Sequence, residues 1–448
     1  MKLTELKDKI NDRKAHLAVI GLGYVGLPVA CTFTKAGFKV TGLDIKAERV
    51  ALINNGKSPI EGDEPGFSEL LEEAVQSGRF MATSNYQDIA SADIVLISVE
   101  TPVDENHNPN YTALRSACVM LTQVLKDGAL VIIESTVAPG TTTSLIQPTL
   151  EDAGSKQLNK DFYLGVCPER VMPGKLLLNL RTMNRVCGGS TPETATTMVH
   201  LYNTIVDAEL DTTDLLTAEL VKTTENAYRD VQIAFANEVA LICEAIGGDV
   251  WRVRELVNKS PYRQMHLPGA GVGGHCIPKD PWLLVNNARR QDMPLRLIPA
   301  ARAINDDMPA HILQLVEDGL KEAGRSLTHA RILILGYAYL ENSDDTRNSP
   351  SERLIKLIQE TGAEPLIHDP FVAPYQGDVM EKATGCDAVV LMVRHSAYLE
   401  MDLRKLKSIL RTPVFIDGRN AYPPDDVITA GFIYRAVGRS PRTTKTRD

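Results

Sequence analysis

The sequence is short of cysteine, and it contains no long apolar run and no long basic run. Its seven cysteines stand at positions 31, 118, 167, 187, 243, 276 and 386, without any Cys-x-x-Cys pair. That pattern argues against a disulfide framework and a zinc site, so no metal is expected. No apolar run reaches the roughly 18 residues of a membrane-spanning helix. The charged opening MKLTELKDKINDRK lacks the apolar core of a signal peptide, so a cytoplasmic protein without a membrane partner is expected.

Composition is that of an acidic globular chain. The 448 residues carry a formal net charge of −9, with 44% hydrophobic and 23% charged residues. A nucleic-acid partner is not expected, because such a partner requires a basic surface. At roughly 150 residues per domain, the length predicts about three domains.

Apolar runs that alternate with helical segments predict an α/β fold with parallel sheets. The stretch 16–45 reads as strand, glycine turn, helix and strand, and further strands are predicted at 94–99, 130–135, 162–166 and 185–188. The pattern returns in RILILGY, EPLIHDP, CDAVVLMV and TPVFIDGRN. We therefore expect two Rossmann-like, doubly wound parallel-sheet domains, residues 1–205 and 315–448, joined by a central helical domain, residues 206–314.

The central domain is predicted to contain one long helix. Residues 215–246 include neither proline nor glycine, and the second half, VQIAFANEVALICEAI, is apolar on nearly every side. Such a helix needs burial on several faces, so a homodimer or higher homo-oligomer is expected. The polar tail GRSPRTTKTRD is expected to be disordered.

A dinucleotide site is predicted at the first glycine turn. Gly21, Gly23 and Gly26 form Gly-x-Gly-x-x-Gly between a predicted strand and a predicted helix. This spacing permits a tight turn, close approach of a pyrophosphate and close packing of helix on strand. Asp44 ends the next strand, where a carboxylate accepts hydrogen bonds from a ribose diol and repels a 2′-phosphate. NAD is therefore favoured over NADP.

Two further segments, SVETPVD and ESTVAPGTT, directly follow predicted strands. Ligands of open α/β sheets bind at that edge. Thr101 and Thr136 are therefore either cofactor contacts or parts of plain turns.

Polar residues form one stripe along the long helix, namely Glu219, Lys222, Asn226 and Arg229. The stripe is either a solvated face or a row that faces the substrate. In the second case Lys222 and Asn226 polarise an oxygen.

The loop GVGGHCIPKDP, residues 271–281, leaves several interpretations open. Its glycines could bring the backbone close to a ligand, and Cys276 could be a nucleophile whose thiolate is favoured by Lys279. A buried cysteine in a structural turn is the alternative. No partner spacing supports His275 and Cys276 as metal ligands, and His275 alone fits a structural or substrate-orienting role.

Together and in this order, the motifs resemble the UDP-glucose/GDP-mannose dehydrogenase family. The resemblance rests on GLGYVGLP, ESTVAPGTT, CPERVMPG, AELVKTTENAYR, GVGGHCIPKDPW and DDTRNSP. It implies an NAD-dependent enzyme that oxidises the C6 alcohol of a UDP-sugar to the uronate through a cysteine thiohemiacetal and thioester. CPERVMPG with GGHC resembles the branch that acts on UDP-N-acetylmannosamine.

The resemblance also implies roles for individual residues. Cys276 would capture the aldehyde, Lys222 would donate a proton or stabilise an oxyanion beside Asn226, and Asp280 would help to activate water or orient the lysine. The implied substrate contacts are Glu169, Arg170, Val171, Lys222, Asn226, Arg229, Arg263 and Tyr339. Among these, Arg263 could reach the sugar nucleotide from a partner subunit. The implied cofactor contacts are Gly21, Gly23, Tyr24, Val25, Gly26, Asp44, Arg49, Thr101, Thr136 and Arg347.

Two positions depart from the family pattern. Leu340 replaces a lysine that the family often carries, and Pro173 replaces a second glutamate of the glucose-oxidising branch. A phosphate or sugar contact would be lost at Leu340, and the acid–base role of the second glutamate is not carried over.

Other functions stay open as alternatives. The substrate could be UDP-N-acetylglucosamine or UDP-glucose. A two-electron hydroxyacid dehydrogenase would need neither the cysteine nor a second nucleotide-binding domain. A non-catalytic NAD-binding protein would not need Lys222, Cys276 and Asp280 together.

Overall fold

The computed structural model describes residues 2–60, 64–152 and 155–440, so residues 441–448 of the predicted disordered tail lie outside the described residues. Helices α1 to α17, in chain order, are Leu3–Asn11, Gly26–Lys35, Ala47–Asn54, Phe67–Gln76, Thr112–Thr122, Gln147–Asp152, Leu176–Thr182, Pro192–Tyr202, Leu215–Ile246, Val250–Val257, Asp280–Arg289, Leu297–Glu322, Pro350–Glu360, Val379–Ala383, Ser396–Leu399, Leu403–Ile409 and Pro424–Thr429. Strands β1 to β13 are His16–Ile20, Lys39–Leu43, Phe80–Thr83, Ile94–Ile97, Ala129–Ile133, Phe162–Val166, Arg185–Gly189, Leu210–Asp214, Arg331–Leu335, Glu364–His368, Ala388–Leu391, Val414–Asp417 and Ile433–Ala436.

The first sheet has the strand order β3-β2-β1-β4-β5-β6-β7-β8. Strands β1 to β6 run parallel, whereas β7 pairs antiparallel with β6 and parallel with β8. The order reverses between β1 and β4, and ligands of doubly wound sheets bind beyond the carboxyl ends of the strands at such a switch point.

One strand departs from the parallel arrangement expected for this sheet. Strand β7 pairs antiparallel with β6, because the chain returns beside β6 in the opposite direction and Gly165 lies opposite Gly189. Strand β8 pairs with β7 and so belongs to this sheet, although it follows the predicted domain boundary at residue 205, which stays a prediction. The residues of β8, LDTTD, are mostly exposed at the sheet edge, so no apolar run marked them.

The second sheet has the order β10-β9-β11-β12-β13, and all its strands are parallel. The two Rossmann-like sheets and the long helix confirm the predicted fold class. The helix α9 runs over the predicted residues, Leu215–Ile246.

Both sheets bury their two faces against helices, as parallel sheets require. Along β1, Leu17 and Val19 belong to one hydrophobic cluster, and Ala18 and Ile20 belong to the cluster on the opposite face. Strand β9 alternates in the same way between two clusters of its own. These alternating side chains hold the carboxyl edges of the strands, where the site residues lie, in place.

The chain forms two compact units. The N-terminal unit comprises the chain up to Glu225 together with Lys279–Pro294, and the C-terminal unit comprises Asn226–Pro278 and the chain from Leu295 onward. The division into three domains stays a prediction. Among the described residues, no helix combines the length and the apolar character that crossing a membrane requires.

Candidate active site

The first glycine turn of the N-terminal unit is shaped by close backbone packing. A β-carbon on Gly26, where α2 begins, would lie 1.9 Å from the carbonyl oxygen of Gly21. Beside Gly23, the nearest described atom to such a carbon is Arg49 Nη1 at 4.0 Å, so the backbone is open there. A pyrophosphate fits this opening, because the N–H groups and dipole of a helix N-terminus favour an anion.

The carboxylate of Asp44 lies at the same turn. It accepts hydrogen bonds from Leu22 N–H at 3.0 Å and from Lys46 N–H at 2.9 Å, and Arg49 Nη1 lies 3.4 Å away. The carboxylate is therefore held in place while it borders the open side of the turn. The residues present fit the ribose and pyrophosphate of NAD.

The hydroxyl of Tyr24 connects the glycine turn to the segment CPERVMPG. It donates a hydrogen bond to Glu64, whose carboxylate also accepts one from Gly174 N–H at 2.8 Å. Val25 immediately precedes α2. Two predicted cofactor positions thus lie on a turn that is tied to the segment predicted to contact the substrate.

Thr101, Thr136, Lys279 and Asp280 meet within the N-terminal unit. Thr101 Oγ1 donates to the carbonyl oxygen of Thr136 at 2.6 Å, and Lys279 Nζ donates to the carbonyl oxygen of Thr101 at 3.0 Å. Lys279 Nζ also lies 3.3 Å from the fully buried Asp280. Thr101 therefore anchors the segment that begins α11, and a contact of either threonine with the cofactor stays a prediction.

Glu219 fits neither interpretation of the polar stripe on α9. It is buried, and its carboxylate accepts hydrogen bonds from the N–H groups of Gly140 at 2.6 Å and Thr142 at 2.8 Å. Burial raises the pKa of Glu219, while these hydrogen bonds oppose the rise. Glu219 therefore holds the turn of ESTVAPGTT, and Lys222, one turn further along α9, is half-buried.

The segment after β6 is also anchored within the N-terminal unit. Arg170 pairs with Glu225, with Nη2 at 2.5 Å from Oε1 and Nε at 3.1 Å from Oε2. The carboxylate of Glu169 accepts a hydrogen bond from Val171 N–H. These contacts hold three consecutive residues of the predicted substrate-binding set in place on one short loop.

In the C-terminal unit, the loop before Cys276 packs on the segment DDTRNSP. Gly274 N–H donates to the carbonyl oxygen of Arg347 at 2.8 Å, and Asn348 Nδ2 donates to the carbonyl oxygen of Gly274 at 3.0 Å. A β-carbon on Gly273 would lie 2.5 Å from Cβ of Tyr339. The structure thus shows that these glycines let the loop approach another segment of the protein's own chain closely.

Cys276 differs from the other cysteines. All seven lie in the described part of the chain, and Cys276 alone among them is exposed. It interacts electrostatically with Tyr339 and Arg347. Burial raises the pKa of Tyr339 to about 12 with a contribution from Asp345, so the phenol stays protonated beside the loop. The interpretation of Cys276 as a buried structural cysteine is wrong.

The remaining predicted residues lie in the C-terminal unit with varied exposure. Arg347 pairs with Asp345 at 2.5 Å, and this hydrogen-bonded pairing raises the pKa of the guanidinium. Arg229 and Arg263 are exposed, and Asn226 and His275 are half-buried. A contact of these residues with substrate or cofactor stays a prediction.

One buried cluster of charged residues in the N-terminal unit is not predicted by any sequence pattern. Arg185, at the start of β7, lies between the carboxylates of Glu134 and Glu169. The sequence shows only that Arg185 begins β7 and that Glu134 directly follows the apolar strand β5. Neither pattern shows which charges meet.

These features define a dinucleotide-binding α/β protein with an exposed cysteine on a glycine loop. Comparison with known proteins identifies the family. Three models of the UDP-glucose/GDP-mannose dehydrogenase family match the chain: the NAD binding domain at residues 15–206, the central domain at 216–307 and the UDP binding domain at 333–424.

Relatives match over nearly the whole chain. A UDP-N-acetyl-D-mannosamine dehydrogenase of Pyrococcus horikoshii is 37% identical over 95% of this chain and 99% of its own. An NDP-N-acetyl-D-galactosaminuronic acid dehydrogenase of Ralstonia nicotianae is 36% identical over 88% of this chain and 93% of its own. The solved structure of a UDP-D-ManNAc dehydrogenase from Pyrococcus horikoshii superimposes with a TM-score of 0.90 at 37% identity, covering 95% of this chain and all of that one.

The chain belongs to the UDP-glucose/GDP-mannose dehydrogenase family. It is an NAD-dependent nucleotide-sugar dehydrogenase, as the glycine turn and the motif order predicted. Its UDP binding domain supports a UDP-sugar as substrate.

Proposed function

We propose that the protein oxidises the C6 alcohol of a UDP-N-acetylhexosamine, UDP-N-acetylmannosamine first among them, to the uronate. The observation that carries the proposal is the exposed thiol of Cys276 on the glycine loop that packs against Tyr339 and Arg347. The names of the relatives support an acetamido sugar, because they include UDP-N-acetyl-D-mannosamine and NDP-N-acetyl-D-galactosaminuronic acid dehydrogenases.

Conversion of a primary alcohol to an acid removes four electrons. NAD, when bound, accepts two electrons as a hydride, so each turnover uses two NAD molecules. Between the oxidations, the Cys276 sulfur adds to the aldehyde carbon and forms a thiohemiacetal, which retains the intermediate. The second oxidation gives a thioester, and water releases the carboxylate and restores the thiol.

The polar residues of the site support these steps in the proposal. Lys222 and Asn226 stabilise the oxyanions, an effect worth a few kcal/mol for each well-placed donor. Asp280, held beside Lys279, orients the lysine or the attacking water. The sugar nucleotide is held by Glu169, Arg170, Val171, Arg229, Arg263 and Tyr339.

The test measures NADH by absorbance with purified protein, NAD and a panel of nucleotide sugars. The panel is UDP-glucose, UDP-N-acetylglucosamine, UDP-N-acetylmannosamine, UDP-N-acetylgalactosamine and GDP-mannose. We expect the highest kcat/KM with UDP-N-acetylmannosamine and two NADH for each substrate consumed. One NADH for each substrate would favour the two-electron alternative, and no turnover would favour the non-catalytic one.

Variants test the role of the cysteine within the same assay. Cys276→Ala is expected to lose four-electron turnover, and Cys276→Ser is expected to accumulate an ester detectable by mass spectrometry. The buried Cys243 offers a matched control, since Cys243→Ala removes a thiol elsewhere in the same unit. Full turnover by Cys276→Ala contradicts the mechanism.

A further inference from the structure

A charged cluster lies beneath the loop that carries Glu169, and all its members belong to the N-terminal unit. Arg185 is 1% exposed. Its Nη2 lies 3.7 Å from Oε1 of Glu169, and its Nη1 lies 4.0 Å from Oε1 of Glu134. These separations exceed hydrogen-bond length, so the two attractions are electrostatic and act in a region removed from water.

Glu134 is held on its other sides by neutral donors. Ser98 Oγ donates to its Oε2 at 2.9 Å, and the Tyr202 hydroxyl donates to its Oε1 at 2.7 Å. The guanidinium carbon of Arg185 lies 5.1 Å above the centre of the Tyr202 ring. Glu134 and Tyr202 thus fix the guanidinium from one side while Glu169 faces its other end.

The charges of this cluster do not balance when both carboxylates are ionised. One guanidinium faces two carboxylates, and the thiols of Cys167 and Cys187 pack beside it. Burial raises the pKa of Glu134, although Arg185, Tyr202 and Ser98 oppose the rise. Arg185 is therefore attracted both to the structural carboxylate of Glu134 and to the loop carboxylate of Glu169.

We propose that Arg185 is a positioning residue that holds the Glu169 carboxylate and with it the loop CPERVMPG. In this arrangement Glu134 competes with Glu169 for the Arg185 guanidinium. The inference deepens the proposed function and rests on it in placing Glu169 at the sugar nucleotide. The alternative is a purely structural ion pair that only stabilises the N-terminal sheet.

A double-mutant cycle separates these roles, because a positioning arginine acts through Glu169 and a purely structural one does not. Arg185→Met removes the positive charge that holds the Glu169 carboxylate, so it is expected to lower kcat/KM for the UDP-sugar in the wild-type background but no further in a protein that carries Glu169→Gln. Glu134→Gln keeps the shape of the side chain but removes the competing negative charge, so its effect on kcat/KM is likewise expected to vanish in the Glu169→Gln background. Arg185→Lys keeps the charge and is expected to stay close to the wild type.

The readout is kcat/KM for the UDP-sugar in each background, and urea unfolding of each variant separates lost activity from lost stability. Arg181→Met provides the control, because Arg181 is an exposed arginine of α7 that pairs with the exposed Asp207. Should Arg185→Met fail to fold, Glu134→Gln decides alone. An equal loss of kcat/KM in the wild-type and Glu169→Gln backgrounds overturns the proposal.

Steady-state kinetics then connects the cluster to the reaction. Arg185→Met is expected to lower kcat/KM for the UDP-sugar by about 100-fold, as a misplaced positioning group does, with the affinity for NAD unchanged. A wild-type protein that oxidises no UDP-sugar would refute the proposed function. Oxidation by the wild type together with an undiminished kcat/KM in Arg185→Met would refute the inference alone.

Discussion

At the scale of single residues, the loop before Cys276 depends on glycine for two separate reasons. Gly274 has φ of +93°, which side-chain-bearing residues rarely adopt, and a β-carbon there would lie 2.8 Å from the Tyr339 ring. Gly247 has a similar φ of +90°, but an added β-carbon meets nothing within 4 Å. Alanine variants at Gly274 and Gly247 therefore separate the cost of a positive φ from the cost of crowding by Tyr339.

We expect Gly274→Ala to destabilise the protein more than Gly247→Ala. Positive φ alone costs about 1–2 kcal/mol for a non-glycine residue, and the clash with Tyr339 adds to this only at Gly274. Urea unfolding curves of the two variants and the wild type measure the difference. Equal losses would show that the Tyr339 ring moves aside without cost.

At the scale of elements, α9 presents an apolar stripe. The stripe is formed by Tyr228, Phe235, Ile242 and Ile246, whose residues are 62%, 58%, 50% and 78% exposed. The first three are seven residues apart and so lie on one side of the helix, as in helices that pair. The stripe supports the expected homodimer, which stays a prediction.

Charge placed in this stripe is expected to weaken association. Phe235→Glu and Ile242→Glu each introduce a carboxylate that would have to lose its water at the interface, so the smaller species should dominate at micromolar concentration. Light scattering coupled to size-exclusion chromatography measures the mass. Glu317→Gln, at an exposed position of α12, is the control. A monomeric wild type would contradict the assignment.

Each element that was predicted correctly has a clear pattern in its own stretch of sequence. Strand β6 and helix α9 were predicted with their observed bounds, because a short apolar run and a long stretch without glycine or proline identify them. The polar strand β8 and the reversal of β7 carry no such local pattern. Their pairing comes from the neighbouring strand alone.

At the scale of the whole molecule, both units contain the same hydrogen-bonded arrangement, but its role differs between them. In each, an aspartate after the second strand of its sheet accepts the N–H of the first turn: Leu22 donates to Asp44 at 3.0 Å and Tyr337 donates to Asp369 at 2.7 Å. Asp44 borders the open glycine turn. Asp369 is fully buried, and Nε2 of the buried His395 lies 3.2 Å away.

In the C-terminal unit, the buried Asp369 therefore stabilises the folded state. Burial would raise the pKa of Asp369, but hydrogen bonds from His395 and from the N–H groups of Ala338 and Phe371 lower it to about 2. Since the unfolded carboxyl titrates near pH 4, the unfolded state binds the proton first on acidification. The stabilisation is present above about pH 4 and is lost as the pH falls towards 2.

Substitution of the two aspartates is expected to have different consequences. Asp44→Asn should weaken NAD binding by about tenfold or more, since a charged hydrogen bond contributes about 1.5–3 kcal/mol. Asp369→Asn should leave the affinity for NAD unchanged and lower the free energy of unfolding above pH 4, with the difference from the wild type vanishing towards pH 2.

Calorimetric titration with NAD and urea unfolding at several pH values measure these effects. Asp378→Asn, an exposed helix cap of the same unit, controls for loss of an aspartate without burial. Weakened NAD binding in Asp369→Asn would contradict the separation of the two roles.

Local sequence patterns suffice to predict the fold class, the glycine turn with Asp44, the long helix and the residue types of the site, because each depends on neighbours along the chain. What those residues contact follows only from the folded chain. Glu219 holds the N–H groups of Gly140 and Thr142, 79 and 77 residues away. Arg185 likewise reaches Glu134 across the sheet. Such pairings follow from the order and direction of strands, which no local period encodes.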